Sequence, residues 1–289
     1  MRTAIIIDST AYAAPSIVSH PDIYEVEFTT SFENGEEHGD YSDPILLEKF
    51  YQRLQAADKL PTTSQPSPGK YEEVVETIIE QGYDQILAIH LSAGLSGAYQ
   101  TAKMITDAYQ DQIDARVIDS KAAAIVIEGM IVQAIDMLEK GLTLEGVYEN
   151  LVWVADNSTI YLTVSDLENL AKGGRLPSSL AKFGNMLKIK PLLRIGNDGK
   201  IQLFDQIRTD KKMKKRFVQL VEADLEEYTN GLLIGFAHAL DEERMETTKN
   251  TVMKVFPELD CRTGVLGPVI GTHTGIGSIG MGIIPLAPY

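Results

Sequence analysis

Hydroxyl side chains and glycines stand together in the segment LSAGLSG (91–97), between a buried strand pattern and a helical pattern. Ser92 and Ser96 carry hydroxyl groups, and glycine lets backbone N–H groups come close to a bound group. The start of a helix adds free N–H donors and the positive end of a dipole. These residue types at this spacing favour a site for an anion, because all of them can donate hydrogen bonds.

Other hydroxyl groups follow two further predicted strands. Ser9 and Thr10 come after TAIIID (3–8), Ser120 comes after ARVID (115–119), and the loop 62–65 contains Thr62, Thr63 and Ser64. Ligands of an open parallel sheet bind outside the carboxyl ends of its strands, so we expect these groups at one edge. Each hydroxyl taken singly is explained as well by helix capping, because serine and threonine favour the N-cap.

Two segments add a cation and an imidazole. In Lys172-Gly173-Gly174-Arg175 the cation stands beside two glycines, which suits a close approach to an anion and equally suits the end of a helix. Thr272-His273-Thr274 lies between glycines and is expected to form a polar loop with an exposed backbone. We treat His273 as a candidate hydrogen-bond donor.

A serine hydrolase is the alternative from another functional class. Its G-x-S-x-G motif is incomplete here, because Gly94-Leu95-Ser96-Gly97 is followed by Ala98. The chain has five histidines, so the number of histidines does not exclude a catalytic base. A hydrolase or acyltransferase that uses Ser96 and His273 therefore stays open.

Nucleotide and metal sites are disfavoured. The chain has no G-x-x-x-x-G-K-[ST], and its G-x-G-x-x-G at 275–280 follows only a short apolar stretch. The single cysteine, Cys261, permits neither an internal disulfide nor a thiolate cluster and is expected to be a buried residue. No pair of histidines and no group of carboxylates has the spacing of metal ligands.

The overall composition narrows the class of partner. The net charge of −15 over 289 residues repels phosphate backbones and argues against nucleic acid. No apolar run approaches the roughly 20 residues that a membrane span needs. The opening residues MRTAIIIDST are too short for a signal peptide and predict a buried strand, so we expect a cytoplasmic protein.

The order of elements predicts an α/β fold in two domains. Residues 1–158 alternate strands and helices, which indicates a mostly parallel sheet with helices on both faces. Residues 159–289 are typical of an α+β domain with an antiparallel sheet, including a hairpin at Asn197-Asp198-Gly199. Ser120 is the expected N-cap of a long apolar helix over 120–141, and the three prolines of PTTSQPSPG (61–69) predict no regular structure there.

Seven segments, in this order, resemble the DegV family of bacterial fatty-acid-binding proteins. They span residues 8 to 275 and read DSTA, PTTSQPS, LSAGLSGAYQTA, VIDSKAA, LAKGGR, IKPLLRI and GPVIGTHTG. The resemblance implies that a long-chain fatty acid is buried between or within the domains, with its carboxylate at the edge of the N-terminal domain. It also implies a subunit that is not itself an enzyme. This subunit presents the acid to a separate ATP-using fatty acid kinase, and the acyl-phosphate goes on to phospholipid synthesis.

The resemblance also assigns the site. The carboxylate contacts fall on Thr63 or its neighbours Thr62 and Ser64, and on Ser96 beside Gly97, with Arg175, Thr272 and His273 completing the polar end. No catalytic residue, metal or other cofactor is implied. Ala93, Ala98 and Ile276 depart from the usual pattern of the family, which leaves the shape of the pocket and the chain-length preference open.

Two surfaces have alternative explanations. The acyl tail is expected against the apolar helix 122–138 and the stretch 180–193, although both could equally be ordinary core. Residues 208–216, RTDKKMKKR, carry six positive charges and one negative charge. They could form a solvated helix face, or a docking surface for an acidic kinase or for transient contact with an anionic membrane.

Overall fold

The computed structural model describes residues 1–165, 167–177 and 190–289. Its strands fall into three sheets. In chain order the strands are β1 (Thr3–Asp8), β2 (Ile23–Val26), β3 (Thr29–Ser31), β4 (Glu37–Gly39), β5 (Thr62–Ser64), β6 (Gln85–His90), β7 (Asp114–Asp119), β8 (Thr159–Thr163), β9 (Lys190–Ile195), β10 (Ile201–Ile207), β11 (Leu232–His238), β12 (Asp260–Val265) and β13 (Ile279–Pro285).

The helices alternate with these strands through much of the chain. In chain order they are α1 (Pro15–Val18), α2 (Pro44–Ala56), α3 (Pro68–Glu80), α4 (Ala98–Ala108), α5 (Ile125–Glu139), α6 (Leu144–Asn157), α7 (Glu168–Lys172), α8 (Asp210–Glu227), α9 (Glu242–Met253) and α10 (Pro268–Thr274). Within the described ranges, no helix is long and apolar enough to cross a bilayer.

The first sheet is parallel throughout, in the order β2-β1-β6-β7. Its central strands are apolar on both faces because helices cover both. Ile5 and Ile7 of β1 belong to the core shared with α5, whereas Ala4 and Ile6 belong to the core shared with α3 and α4. This arrangement confirms the α/β expectation for the first half of the chain.

The second sheet is mixed, in the order β10-β9-β8-β13-β11-β12, and only the β11–β12 pairing is parallel. Helix α5 contacts both large sheets, which explains why it is apolar all round. Helices α8 and α9 pack on the opposite face of the second sheet. The predicted fold class is confirmed. The domain boundary at 158/159 stays a prediction. Strand β8 of the second sheet does begin at Thr159, but α5 and α6, which precede it, pack in a core that both sheets share.

Local expectations had mixed outcomes. The hairpin is confirmed, since Ile195 pairs with Ile201 across the predicted turn. The prediction that 61–69 lacks regular structure was wrong, because Thr62–Ser64 pairs with β3 as a short strand and α3 begins at Pro68. Prolines flank this strand, so they remove no N–H from its pairing.

The predicted N-cap at Ser120 was also wrong. Helix α5 begins five residues later, at Ile125, and the Ser120 hydroxyl bonds the backbone of Ala122. Lys121 and Ala124 have φ angles of 51° and 49°, so the chain turns sharply before the helix. This turn lets the Ala124 N–H donate to the carbonyl of Thr10 beside β1.

Candidate functional site

A cavity of about 360 Å³ lies where the start of α5, the second sheet and α10 meet the loop after β6. Its volume is within the range of small-molecule sites, and its wall is mainly apolar. The lining residues are Phe28, Thr63, Ser64, Gln65, Leu91, Leu95, Ser96, Gly97, Ala123, Ala124, Ile125, Ile160, Leu162, Leu170, Arg175, Ile195, Ile201, Ala237, Leu266, Val269, Ile270, His273, Thr274, Ser278, Ile279 and Gly280.

Most of the site residues predicted from the sequence line this cavity, although they come from four separate parts of the chain. Six do so: Thr63 and Ser64 on β5, Ser96 and Gly97 at the start of α4, Arg175 after α7, and His273 on α10. The other two do not. Thr62 is exposed on β5, and the Thr272 hydroxyl donates to the carbonyl of Pro268 at 2.7 Å.

His273 is bonded to Thr63, with its Nε2 atom 2.9 Å from the Thr63 hydroxyl oxygen. Burial, together with the nearby charge of Arg175, lowers the pKa of His273 to about 4, so the imidazole is neutral at pH 7. Its Nδ1 atom is buried without a hydrogen-bond partner among the described residues. If Nε2 accepts from Thr63, then Nδ1–H is a free donor; if Nε2 donates, the Thr63 hydroxyl is free to donate instead.

Arg175 lies half-buried beside this pair. Its Nε donates to the carbonyl of Leu95 at 3.2 Å, and its Nη1 donates to the carbonyl of Gly173 at 2.6 Å. Burial lowers the pKa of the guanidinium, but an arginine stays charged in proteins. The cation therefore ties the segment after α7 to the loop that carries Ser96.

The Gly173-Gly174 pair also ends a helix. Helix α7 stops at Lys172, with Gly173 as its C-cap and Gly174 at a φ of 73°. A side-chain carbon on Gly173 would lie 2.2 Å from His273 Nδ1. The interpretation as a helix end is therefore confirmed. A close approach to an anion stays a prediction, because the space at Gly173 is taken by the imidazole of His273.

The Ser96 hydroxyl is available to donate. Its oxygen accepts from the Ala98 N–H at 3.2 Å, which leaves its own proton free, and its N–H donates to the carbonyl of Ser92 at 3.0 Å. Ser92 is held by the second sheet in turn, because its hydroxyl donates to the Gly199 carbonyl at 2.7 Å. The hairpin tip also packs on Gly94, where a side-chain carbon would lie 2.5 Å from the Gly199 oxygen.

The other hydroxyls that were expected at one edge of the parallel sheet have structural partners. Ser9 donates to Asp40, Thr10 bonds Asp8, and Ser120 bonds Ala122. None of the three lines the cavity. The interpretation of all these hydroxyls as one binding edge was therefore wrong, because hydrogen bonds to nearby side chains and to the loop backbone account for these three.

The loop expected at 272–274 is helical. Helix α10 begins at Pro268, which occupies its first turn, and it carries His273 towards the cavity. No side chain of its own segment caps it; instead Asp40 accepts from the Val269 N–H at 3.1 Å. Sequence reasoning missed Asp40, because the carboxylate and the helix that it holds are more than 200 residues apart in the chain.

The apolar wall differs from the predicted tail pocket. Of the helix 122–138, only residues 123–125 line the cavity, and most of the rest belongs to the core between the sheets. Most of the stretch 180–193 lies outside the described residues, and 191–193 is not part of the lining. The wall comes instead from the inner faces of the second sheet, including Ile160, Leu162, Ile195 and Gly280.

The geometry gives little support to a hydrolase. In the described part of the chain, His273 bonds Thr63 and the Ser96 hydroxyl bonds the Ala98 N–H, so no hydrogen bond joins the proposed nucleophile to its base. An imidazole with a pKa of about 4 is also a weak base. Within the described ranges, no group of histidine, cysteine and acidic side chains is arranged to hold a metal ion.

Comparisons with known proteins agree with one another. The family model described as "Uncharacterised protein, DegV family" matches residues 2–286. A DegV domain-containing protein from Streptococcus pneumoniae is 31% identical over 99% of this chain and 100% of its own length. A crystal structure of a fatty acid binding DegV family protein from Streptococcus agalactiae superposes with a TM-score of 0.88 at 27% identity, covering 99% of both chains. That of a stearic acid-binding protein from Eubacterium ventriosum has a TM-score of 0.86 at 26% identity, covering 99% of this chain and 98% of the other.

Proposed function

Since this chain belongs to the DegV family, we propose that it binds one long-chain fatty acid in the cavity and presents the carboxylate to a separate fatty acid kinase. One observation carries the proposal. Among the described residues, a mainly apolar cavity is lined at one part by Thr63, Ser96, Arg175 and His273, a cluster of donors in which Arg175 is the cation. Solved structures of fatty acid binding relatives with the same fold support it.

The apolar wall supplies the affinity. Burying about 14–16 methylenes at about 0.8 kcal/mol each gives a gross gain of about 11–13 kcal/mol. Loss of the ligand's motional freedom reduces this figure, as in any association. The tail would lie against the inner face of the second sheet, where Leu162 and Ile201 contribute side chains.

The headgroup needs donors, because an ionised carboxylate without partners is strongly unfavourable in apolar surroundings. Ser96 has a free hydroxyl proton, and the Thr63 hydroxyl is free to donate in the tautomer in which His273 Nε2 donates to Thr63. Arg175 adds a positive charge close to His273. Neutral donors with one cation can hold the acid without reacting with it, which fits a binding subunit.

Mass spectrometry of the solvent extract of the purified protein tests the proposal. We expect about one equivalent of a long-chain fatty acid, and after delipidation we expect the fatty acid to rebind more tightly than a fatty alcohol of the same length. An extract without long-chain acid, together with failure of the delipidated protein to bind any, would remove the proposal.

Presentation to a kinase is the second half of the proposal and rests on the family resemblance. The kinase would transfer a phosphoryl group from ATP to the bound carboxylate, and the protein would carry the acyl-phosphate to phospholipid synthesis in the cytoplasm. A phosphate group has more negative charge than a carboxylate, so a nearby cation matters more to the product than to the acid. Arg175 is the cation that lines the cavity.

Arg175→Ala therefore separates the two halves of the function. We expect fatty acid affinity to fall by less than about fivefold, since Thr63 and Ser96 still donate, while acyl-phosphate formation with the kinase falls by about tenfold or more, the effect of losing one charge-assisted hydrogen bond. Binding is measured with a fluorescent fatty acid, and product formation with labelled ATP. Equal loss of both would show that Arg175 acts on binding alone.

The basic stretch 208–216 lies away from the cavity. Most of it lies on α8, whose buried Phe217 packs with Tyr161 and Met281 on one face of the second sheet, whereas Leu162 and Gly280 line the cavity on the other. A role in kinase docking or membrane contact stays a prediction. The position of α8 does not support ligand passage through this stretch.

A further inference from the structure

Glycine 280 occupies an unusual place for its residue type. It lies inside β13, paired with Leu162 on one side and Ala237 on the other, and all three line the cavity. Glycine inside a strand weakens the sheet and often marks close approach by a ligand or another backbone. Its φ lies outside the left-handed region, so the backbone does not require glycine there.

Two other glycines of the same sheet face show what usually makes glycine necessary. At Gly282 a side-chain carbon would lie 2.7 Å from Val126, and at Gly235 it would lie 2.3 Å from Ile125. These two positions pair directly with each other, and the side chains of α5 fill the space above them. Glycine is therefore explained there by the protein's own packing.

Gly280 has no such explanation. A side-chain carbon built there would have one heavy atom of the described residues within 4 Å, the carbonyl oxygen of Tyr161 at 3.9 Å. Among the residues that the structure describes, no helix fills the space next to Gly280, which belongs to the cavity. The small neighbour Ala237 enlarges the same space.

We propose that Gly280 is a specificity-determining residue that reserves cavity volume for the acyl chain and so sets the longest chain that the protein accepts. The inference rests on the proposed fatty acid binding. A side chain at 280 would stand on the inner face of β13 and displace part of the ligand, with little displacement of protein. A valine would take about the room of three methylenes, so the preferred acid becomes shorter by roughly that number.

The effects on stability and on binding have opposite signs. Valine favours strands and glycine disfavours them, so Gly280→Val is expected to leave the unfolding temperature of the delipidated protein unchanged or higher. Affinity for the longest acids is expected to fall by at least about tenfold, with little change for acids about three carbons shorter. A residue with only a structural role would not change affinity according to chain length.

The experiment measures dissociation constants for saturated fatty acids of twelve to twenty carbons with delipidated wild-type protein, Gly280→Ala and Gly280→Val. Gly282→Ala is the matched control on the same strand and face, and it is expected to lower the unfolding temperature through its contact with Val126. Gly280→Ala gives a smaller shift in the same direction and serves if the valine variant does not fold.

The outcomes separate this inference from the function on which it rests. A length profile displaced towards shorter acids supports the inference. A uniform loss at all lengths, or an unchanged profile, overturns it and leaves fatty acid binding intact. If the wild-type protein binds none of the acids, then the proposed function itself fails.

Discussion

Replacing Thr63 by valine and Ser96 by alanine in one chain is expected to weaken fatty acid binding by at least about 100-fold. In the proposed complex each hydroxyl donates to the carboxylate, and a hydrogen bond to a charged group contributes about 1.5–3 kcal/mol. About 1.4 kcal/mol corresponds to a factor of ten in the dissociation constant. The two losses need not add, because both donors serve one group.

The same strand supplies the control for this experiment. Thr62 precedes Thr63 on β5 but is exposed and does not line the cavity, so Thr62→Val should leave the affinity within about twofold. Binding of a fatty alcohol of equal length should change much less in the double variant than binding of the acid. If acid and alcohol weaken to the same extent, the two hydroxyls do not recognise the headgroup.

Most of the polar residues that line the cavity could be predicted from the sequence. Hydroxyls and glycines around a helix start have few structural uses in combination, so LSAGLSG stood out. The residue types also made Thr63, Arg175 and His273 candidates, and the family resemblance assigned all of them to one carboxylate. The structure brings these residues into one cavity. Ser9 and Ser120 have the same residue type at similar positions, yet they bond Asp40 and Ala122. Residue type alone could not separate these two groups.

The cavity wall could not be predicted in the same way. Alternating apolar residues of β8 and β13 predict a sheet, but which face meets a ligand depends on how α5 lies between the sheets. Gly280 and Gly282 are both glycines in an apolar strand, and only three-dimensional packing shows that Val126 fills the space at one of them. Contacts between distant segments, such as Ser92 with Gly199, leave no periodic pattern in the chain.

Asp40→Asn is expected to change how stability depends on pH. Asp40 is almost fully buried, and its pKa is raised from the ordinary value of 3.8 to about 8. Burial is the largest cause, and the nearby Asp8 acts in the same direction. Hydrogen bonds from Val269, Tyr12 and Ser9 oppose the rise. Between pH 4 and 8 the folded protein therefore keeps a proton that the unfolded chain has released. Stability from this group is complete below about pH 4 and is lost as the pH rises through about 8.

The size of the effect follows from the two pKa values. The gap from 3.8 to about 8 is about four pH units, which at about 1.4 kcal/mol each sets an upper limit of about 6 kcal/mol on the stability lost across this window. Asparagine has the same shape, stays neutral, and can still accept from the Val269 N–H and donate to Ser9. The variant should therefore gain stability relative to wild type as the pH rises from 5 to 9.

Urea unfolding of both proteins at pH 5, 7 and 9 measures this difference. Other acids with raised pKa values, such as Glu128 and Asp224, are present in both chains and cancel in the comparison. Asp58→Asn removes a carboxylate from an exposed position and serves as the control for the loss of one acidic side chain. A constant difference from wild type for Asp40→Asn would mean that Asp40 is already ionised at pH 5. In that case the N-terminus of α10, and with it His273, would be held by a permanent charge.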